Sequence, residues 1–286
     1  MTERLVPRPS SENAESEGSA NLRNISAFAV GLTLIIYSRV GKWPRGFSRY
    51  LANASARCRV ISVDFVDPAS QALMFLLPGA VLILLTLVWE RNNSRSLGLS
   101  RPYFGDLLLA VSAWLFYQLI NRFIYDFHLY TPVTHAGLDD SEVFFSLPAR
   151  WSITLLVLDV VFEELATRAY VIERMISFTG SRVLAGTVSL VLSISLHIPG
   201  RDVWQALHRI PSMSLLTGLY VWRRSIAPCA LTHVLLDTAT FFLLFHFPWL
   251  LLWIIHPLPD SFLFMASILL WIGAQSIEQR IGRTVA

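Results

Sequence analysis

Apolar residues in this chain do not alternate with polar ones. They come in long blocks, and the polar residues gather between them. Blocks at 70–89, 104–124, 150–172, 183–198, 203–222, 226–246 and 261–277 predict seven helices, most of them close to the roughly 20 residues that cross a bilayer. A shorter block at 24–37 predicts a weak first span or an interfacial helix. A membrane β-barrel would instead alternate apolar and polar residues in segments of about ten. The expected fold class is therefore all-α: a polytopic helical membrane protein of about eight transmembrane helices with an intramembrane site.

The segments between the blocks divide the chain. Residues 1–22 are rich in Ser, Glu and Pro and predict a disordered N-terminal tail with no signal-peptide core. Residues 23–68 combine the weak span with a surface stretch in which Trp43, Arg45, Phe47, Arg49 and Tyr50 alternate aromatic and basic character. Residues 69–286 form the helical membrane domain. Arginines 91, 95, 101, 174, 182, 223, 224, 280 and 283 follow alternate blocks, whereas 125–149 and 247–260 are poor in Lys and Arg. The positive-inside rule then makes both termini cytoplasmic. It also leaves the basic stretch in 41–68 on the outer side, against the rule. The 203–222 block is interrupted by Gln205, His208, Arg209 and Pro211, which suits a cavity-lining or re-entrant start.

Composition agrees with this picture: 54% of residues are hydrophobic, 15% are charged and the mean hydropathy is +0.52, against about 25% charged in soluble domains. The net charge of +3 does not indicate nucleic acid, because the basic residues sit at the ends of apolar blocks. The expected partners are the lipid bilayer and a membrane-associated peptide or protein, with no nucleic acid. Cys58 and Cys229 are isolated and suggest neither a disulfide framework nor a thiolate metal cluster.

Polar residues inside the blocks are the candidate chemistry. "EELATR" carries Glu163, Glu164 and Arg168; "SLVLSISLHIPG" ends on His197; "HVLLD" carries His233 and Asp237. Mid-bilayer charges of this kind cost about 2.5–3.5 kcal/mol each on insertion scales. Glu164 and Arg168, four apart, are placed to pair. Glu163 is turned by about 100° from Glu164, which predicts that it stays unpaired with the arginine. A desolvated carboxylate there suits a general base. Two histidines and a glutamate from three helices can activate water with or without a metal. Singly, each feature has a structural explanation, as an ion pair, an interfacial histidine or a packing pair; together they point to a site. His208 lacks a partner at helical spacing and His246 and His256 flank a proline-rich turn expected at an interface, so all three stay outside the set, and Ser193, Ser195 and Ser214 read as packing or back-bonding hydroxyls. Gly186 and Gly218 predict close helix approach. Asp159 is left without a role.

These residues resemble a known family. "EELATR" is similar to the EExxxR motif and "HVLLD" to the HxxxN/D motif of the CPBP intramembrane proteases, which include the type II CAAX prenyl proteases and Abi bacteriocin-immunity-like proteins. His197 corresponds to the histidine of the middle FxxxH motif, and the flanks look like bacterial members, which implies a bacterial plasma membrane. The resemblance covers about 145–246. It departs at Ser193, where the motif has phenylalanine, and at Asp237, where many members have asparagine.

The resemblance implies an intramembrane endopeptidase in which Glu163 and His197 activate water, His233 and Asp237 stabilise the oxyanion, and Glu164 and Arg168 hold the site in shape. The alternative it leaves is a non-catalytic peptide-binding or immunity-like protein of the same fold. Some family names include "metalloprotease", and zinc could be accepted by Glu163, His197 and His233, but these roles require no cofactor. An ionised Asp237 is only an acceptor. It either donates to the oxyanion when protonated or orients His233 when ionised, and the donor role is the one taken here. A proton-coupled transporter is disfavoured because the chain lacks an inverted repeat.

Overall fold

The computed structural model describes residues 23–36, 63–89, 97–99, 102–126, 149–198, 207, 209–238 and 260–280. Among these residues the chain is all helical, with no strand. In order, α1 is Arg23–Ile36 and α2 is Val63–Leu84, which continues as a π-helical turn, Leu85–Trp89. Next come α3 (Phe104–Asp126) and α4 (Ala149–Glu163), followed by a second π-helical turn (Glu164–Tyr170) and α5 (Val171–Thr179). The remaining helices are α6 (Arg182–Leu196), α7 (Ile210–Arg223), α8 (Ile226–Asp237) and α9 (Asp260–Arg280). The tail at 1–22, the aromatic-basic residues Trp43 to Tyr50, and His246 and His256 lie outside the described residues.

Several boundaries differ from the hydropathy pattern, each for a local reason. Helix α2 begins at Val63 rather than at 70, because Asp64 and Asp67 conceal its first turns from an apolar count. The block expected at 150–172 is a helical rod running to Thr179, and it passes through the π turn. Its last turns looked like a loop because they contain Glu173 and Arg174, but both residues are buried. Helix α7 begins at Ile210 with Pro211 in its first turn, where a missing N–H leaves no bond unmade. The positions 203–206 expected at its start, and 239–246 expected at the end of α8, lie outside the described residues.

The arginines that set the expected orientation are in part structural. Arg174 donates to Thr86 Oγ1 at 3.2 Å and stands 5.3 Å over the Tyr170 ring. Arg224 pairs with Glu173, to which Tyr220 also donates at 3.2 Å. Arg223 pairs with Glu278 and donates to Tyr103 Oη at 2.5 Å. Arg174, Arg223 and Arg224 therefore tie helices together at one end of the bundle, and their presence there has a packing cause besides orientation.

Turn chemistry brings the site-bearing helices side by side. Gly180 closes α5 in the left-handed conformation, φ 69°, and the Ser181 hydroxyl accepts the Leu184 N–H at 3.2 Å to start α6. At Gly186, a Cβ would lie 3.2 Å from Val221 Cγ2, so α6 and α7 approach closely there, as its type predicts. Gly218 does not serve this purpose: a Cβ there would meet nothing within 4 Å. Helix α1 docks on the end of the π turn, where Tyr170 donates to Ala27 O at 2.9 Å and its ring fills the space beside Gly31. Helix α9 lies along α3, joined by Ser112 Oγ to Ser267 O at 2.8 Å and Ser267 Oγ to Ser112 O at 3.1 Å. Among the described residues, two helices, Phe104–Asn121 within α3 and Asp260–Gln279 within α9, are long and apolar enough to cross a membrane.

Candidate functional site

The site is organised by the π turn. In an α-helix a side chain meets those three and four residues away, whereas a π turn closes i→i+5 bonds and widens the ring. Val171 N–H here reaches Ala166 O, which is that spacing. Arg168 therefore sits near both preceding acids: Nη1 is 3.3 Å from Glu164 Oε1 and 3.6 Å from Glu163 Oε1. The expected Glu164–Arg168 pair is present. The expectation that Glu163 stays apart from the arginine is wrong, because a five-residue separation brings side chains together in a π turn but not in an α-helix.

Arg168 is fully buried, and both terminal nitrogens of its guanidinium have further partners. Nη1 donates to Thr167 Oγ1 at 2.5 Å, and Nη2 donates to Met213 Sδ at 2.8 Å. Thr167 Oγ1 in turn donates to Glu163 O at 2.7 Å, and Ser189 Oγ on α6 donates to Thr167 O at 2.7 Å. Thr167, Ser189 and Met213 are supporting residues that the sequence reading missed. Thr167 had a signal, since it lies one turn after Glu163 and next to Arg168. Met213, on another helix, had none.

His197 and Glu163 face each other. His197 caps the C-terminus of α6, where Nδ1 lies 2.7 Å from Ser193 O. A carbonyl can only accept, so Nδ1 carries the proton and a neutral ring has its lone pair on Nε2. That Nε2 is 3.8 Å from Glu163 Oε2.

The second histidine belongs to a different pair. His233 is buried on α8, and its Nδ1 lies 2.8 Å from Glu164 Oε1. Its Nε2 is 3.6 Å from Asp237 Oδ2, one helical turn on. The sequence reading gave Glu164 only the arginine; in the structure Glu164 also fixes the His233 ring. Asp237 keeps about a quarter of its side chain exposed, at 26%. Asp159 is half-buried on α4.

All six sequence-derived residues thus meet where α4, the π turn, α6 and α8 converge, in two linked pairs: Glu163 with His197, and Glu164 with His233. Of the zinc set expected from the sequence, Glu163 and His197 face each other at 3.8 Å, while His233 Nδ1 is turned to Glu164 at 2.8 Å. Among the described residues no three His, Cys, Asp or Glu side chains gather as a metal-ligand group. Cys229 is buried, with its thiol directed at Leu216 O and Ser225 O, 3.7 and 3.5 Å away, and takes no part. Ser195 back-bonds to Val191 O at 2.7 Å, as expected of a helical hydroxyl. Beside the site lies a small apolar cluster of Met213, Leu216 and Leu236, packed against Trp114, Tyr117 and Leu190.

Residues 145–239 match the family model described as Type II CAAX prenyl endopeptidase Rce1-like. The matched segment contains all six site residues, and it bears out the resemblance to the CPBP and CAAX protease family read from the three motifs. No curated protein and no solved structure matches the chain.

Proposed function

We propose that this chain is an intramembrane endopeptidase that hydrolyses a peptide bond with a water held by Glu163 and His197. One observation carries the reading. Glu163 Oε2 and His197 Nε2 face each other at 3.8 Å, too far for a direct hydrogen bond and suited to a water gripped by both. Glu163 takes a proton from that water while the hydroxide attacks the substrate carbonyl carbon. The oxyanion formed accepts a hydrogen bond from the protonated carboxyl of Asp237, which stands beside His233 Nε2. Glu163 then returns its proton to the leaving amine nitrogen, the C–N bond breaks, and acid and amine leave.

Glu164 already orients His233 through Nδ1, and Asp237 stands at 3.6 Å from Nε2. That division leaves Asp237 free to donate to the oxyanion. Arg168 keeps the two adjacent carboxylates in place. No step needs a metal.

The membrane setting belongs to the same proposal. Phe262, Phe264, Met265, Leu269, Trp271 and Ile272 are all exposed on α9, and lipid is the solvent that accepts such a face. The proposed arrangement is multi-pass in a bacterial plasma membrane, with both termini cytoplasmic. The proposed substrate is a membrane-associated peptide or protein. The test is N-terminal proteomics on membranes from cells expressing wild-type protein or Glu163→Gln. A new peptide end found only with the wild type supports the protease. No such end, with both proteins folded, favours the non-catalytic peptide-binding alternative.

A further inference from the structure

Ser193 is fully buried, and its hydroxyl meets no hydrogen-bond partner in the protein. A helical serine ordinarily has an easy remedy, the carbonyl four residues back. Thr86, Thr167, Ser195 and Thr232 all take it, at 2.7–3.0 Å. Ser193 does not. An orphaned buried hydroxyl costs about 1–3 kcal/mol and calls for an explanation.

Register supplies one. Ser189, Ser193 and His197 are spaced four apart and share one stripe of α6. Ser189 is bonded to Thr167 O at 2.7 Å, and His197 faces Glu163 at 3.8 Å. Ser193 lies between these two cross-links, so the same stripe turns it towards the junction of α4 and the π turn, where Glu163 ends α4. Its carbonyl already fixes the His197 tautomer through Nδ1 at 2.7 Å. The hydroxyl is the one group on this stripe still without a partner.

We propose that Ser193 Oγ is a third hydrogen-bond partner of the water between Glu163 and His197, making Ser193 a positioning residue for the nucleophile. This rests on the hydrolytic reading of the site, yet it can be tested apart from it. Three partners fix a water where two leave it free to swing about the line joining them, and a buried water makes about three hydrogen bonds. The serine takes no proton in the reaction. It orients the lone pair that Glu163 and His197 expose.

The test is an experimental density map that resolves ordered water, for the wild type, Ser193→Ala and Ser193→Thr, with kcat and KM measured on a peptide identified by the proteomics. Expected is a water within hydrogen-bond reach of Ser193 Oγ, Glu163 and His197 in the wild type and Ser193→Thr, and its loss in Ser193→Ala. With it, kcat should fall about tenfold in Ser193→Ala at unchanged KM and recover in Ser193→Thr. No water at that point in the wild type, or the same water in Ser193→Ala, overturns the proposal. A water that depends on Ser193 in a protein that cleaves nothing would sink the protease reading and leave this placement standing. Glu163-dependent cleavage with water and kcat unaltered in Ser193→Ala would do the reverse.

Discussion

Glutamine at position 164 separates the work of the two adjacent acids. Glu164 has no solvent exposure and serves two partners, Arg168 Nη1 at 3.3 Å and His233 Nδ1 at 2.8 Å. Glu164→Gln keeps the shape and an acceptor oxygen but removes the charge. Removing one member of a buried ion pair costs about 3–5 kcal/mol. Arg168 retains Glu163 at 3.6 Å and Thr167 at 2.5 Å, so the lower end, about 3 kcal/mol, applies. For a chain of this size each kcal/mol moves Tm by about 2–4 °C, giving a fall of roughly 6–12 °C. Glu163→Gln leaves the Glu164–Arg168 pair and the His233 contact intact, so it should cost only about 1 kcal/mol. It should instead lower the cleavage rate by about 10²–10⁴-fold, as loss of a general base does. The assays are folded yield and thermal unfolding in one detergent, followed by cleavage rate per folded molecule. The reverse pattern, with Glu163→Gln unstable and Glu164→Gln stable but inactive, would refute the assignment of the two acids.

Asp237→Asn should retain most activity, because the amide donates where the protonated carboxyl did, whereas Asp237→Ala should lose it. An Asn variant as inactive as Ala, with folding intact, would show that the carboxylate orients His233 instead. Gly186→Ala should lower Tm measurably, because its Cβ would press on Val221 Cγ2 at 3.2 Å. Gly218→Ala, with nothing within 4 Å, should be neutral or raise stability by up to about 1 kcal/mol through helix propensity; equal losses at both sites would contradict the packing described. Purified protein should carry no stoichiometric zinc and keep its activity in chelator. Zinc at one per chain together with chelator-sensitive cleavage would replace the metal-free mechanism.

Helical class was legible in the sequence because it depends on composition over long windows: apolar blocks with no alternation leave few other structures. The six polar residues that come together in the candidate site stood out in the sequence because charge and imidazole within such blocks are costly enough to need a reason, and three motifs in order supplied one. What the sequence could not show came from departures from ideal helical spacing and from contacts between distant segments. Counting 3.6 residues per turn sends Glu163 away from Arg168; a π turn at 164–170 brings it back, and no propensity marks that turn. Glu173 and Arg174 looked like a loop because hydropathy scores a residue alone, while in the fold Arg224 and Tyr220 pair with Glu173 and the Thr86 hydroxyl and Tyr170 ring hold Arg174. Glu164 looked like the partner of an arginine, yet it also holds His233 from 69 positions away. Local periodicity is a property of neighbours along the chain, and it decided the helices. Pairing of buried charges is a property of neighbours in space, and only the packing of α4, α6 and α8 around the π turn decided which acid serves which base.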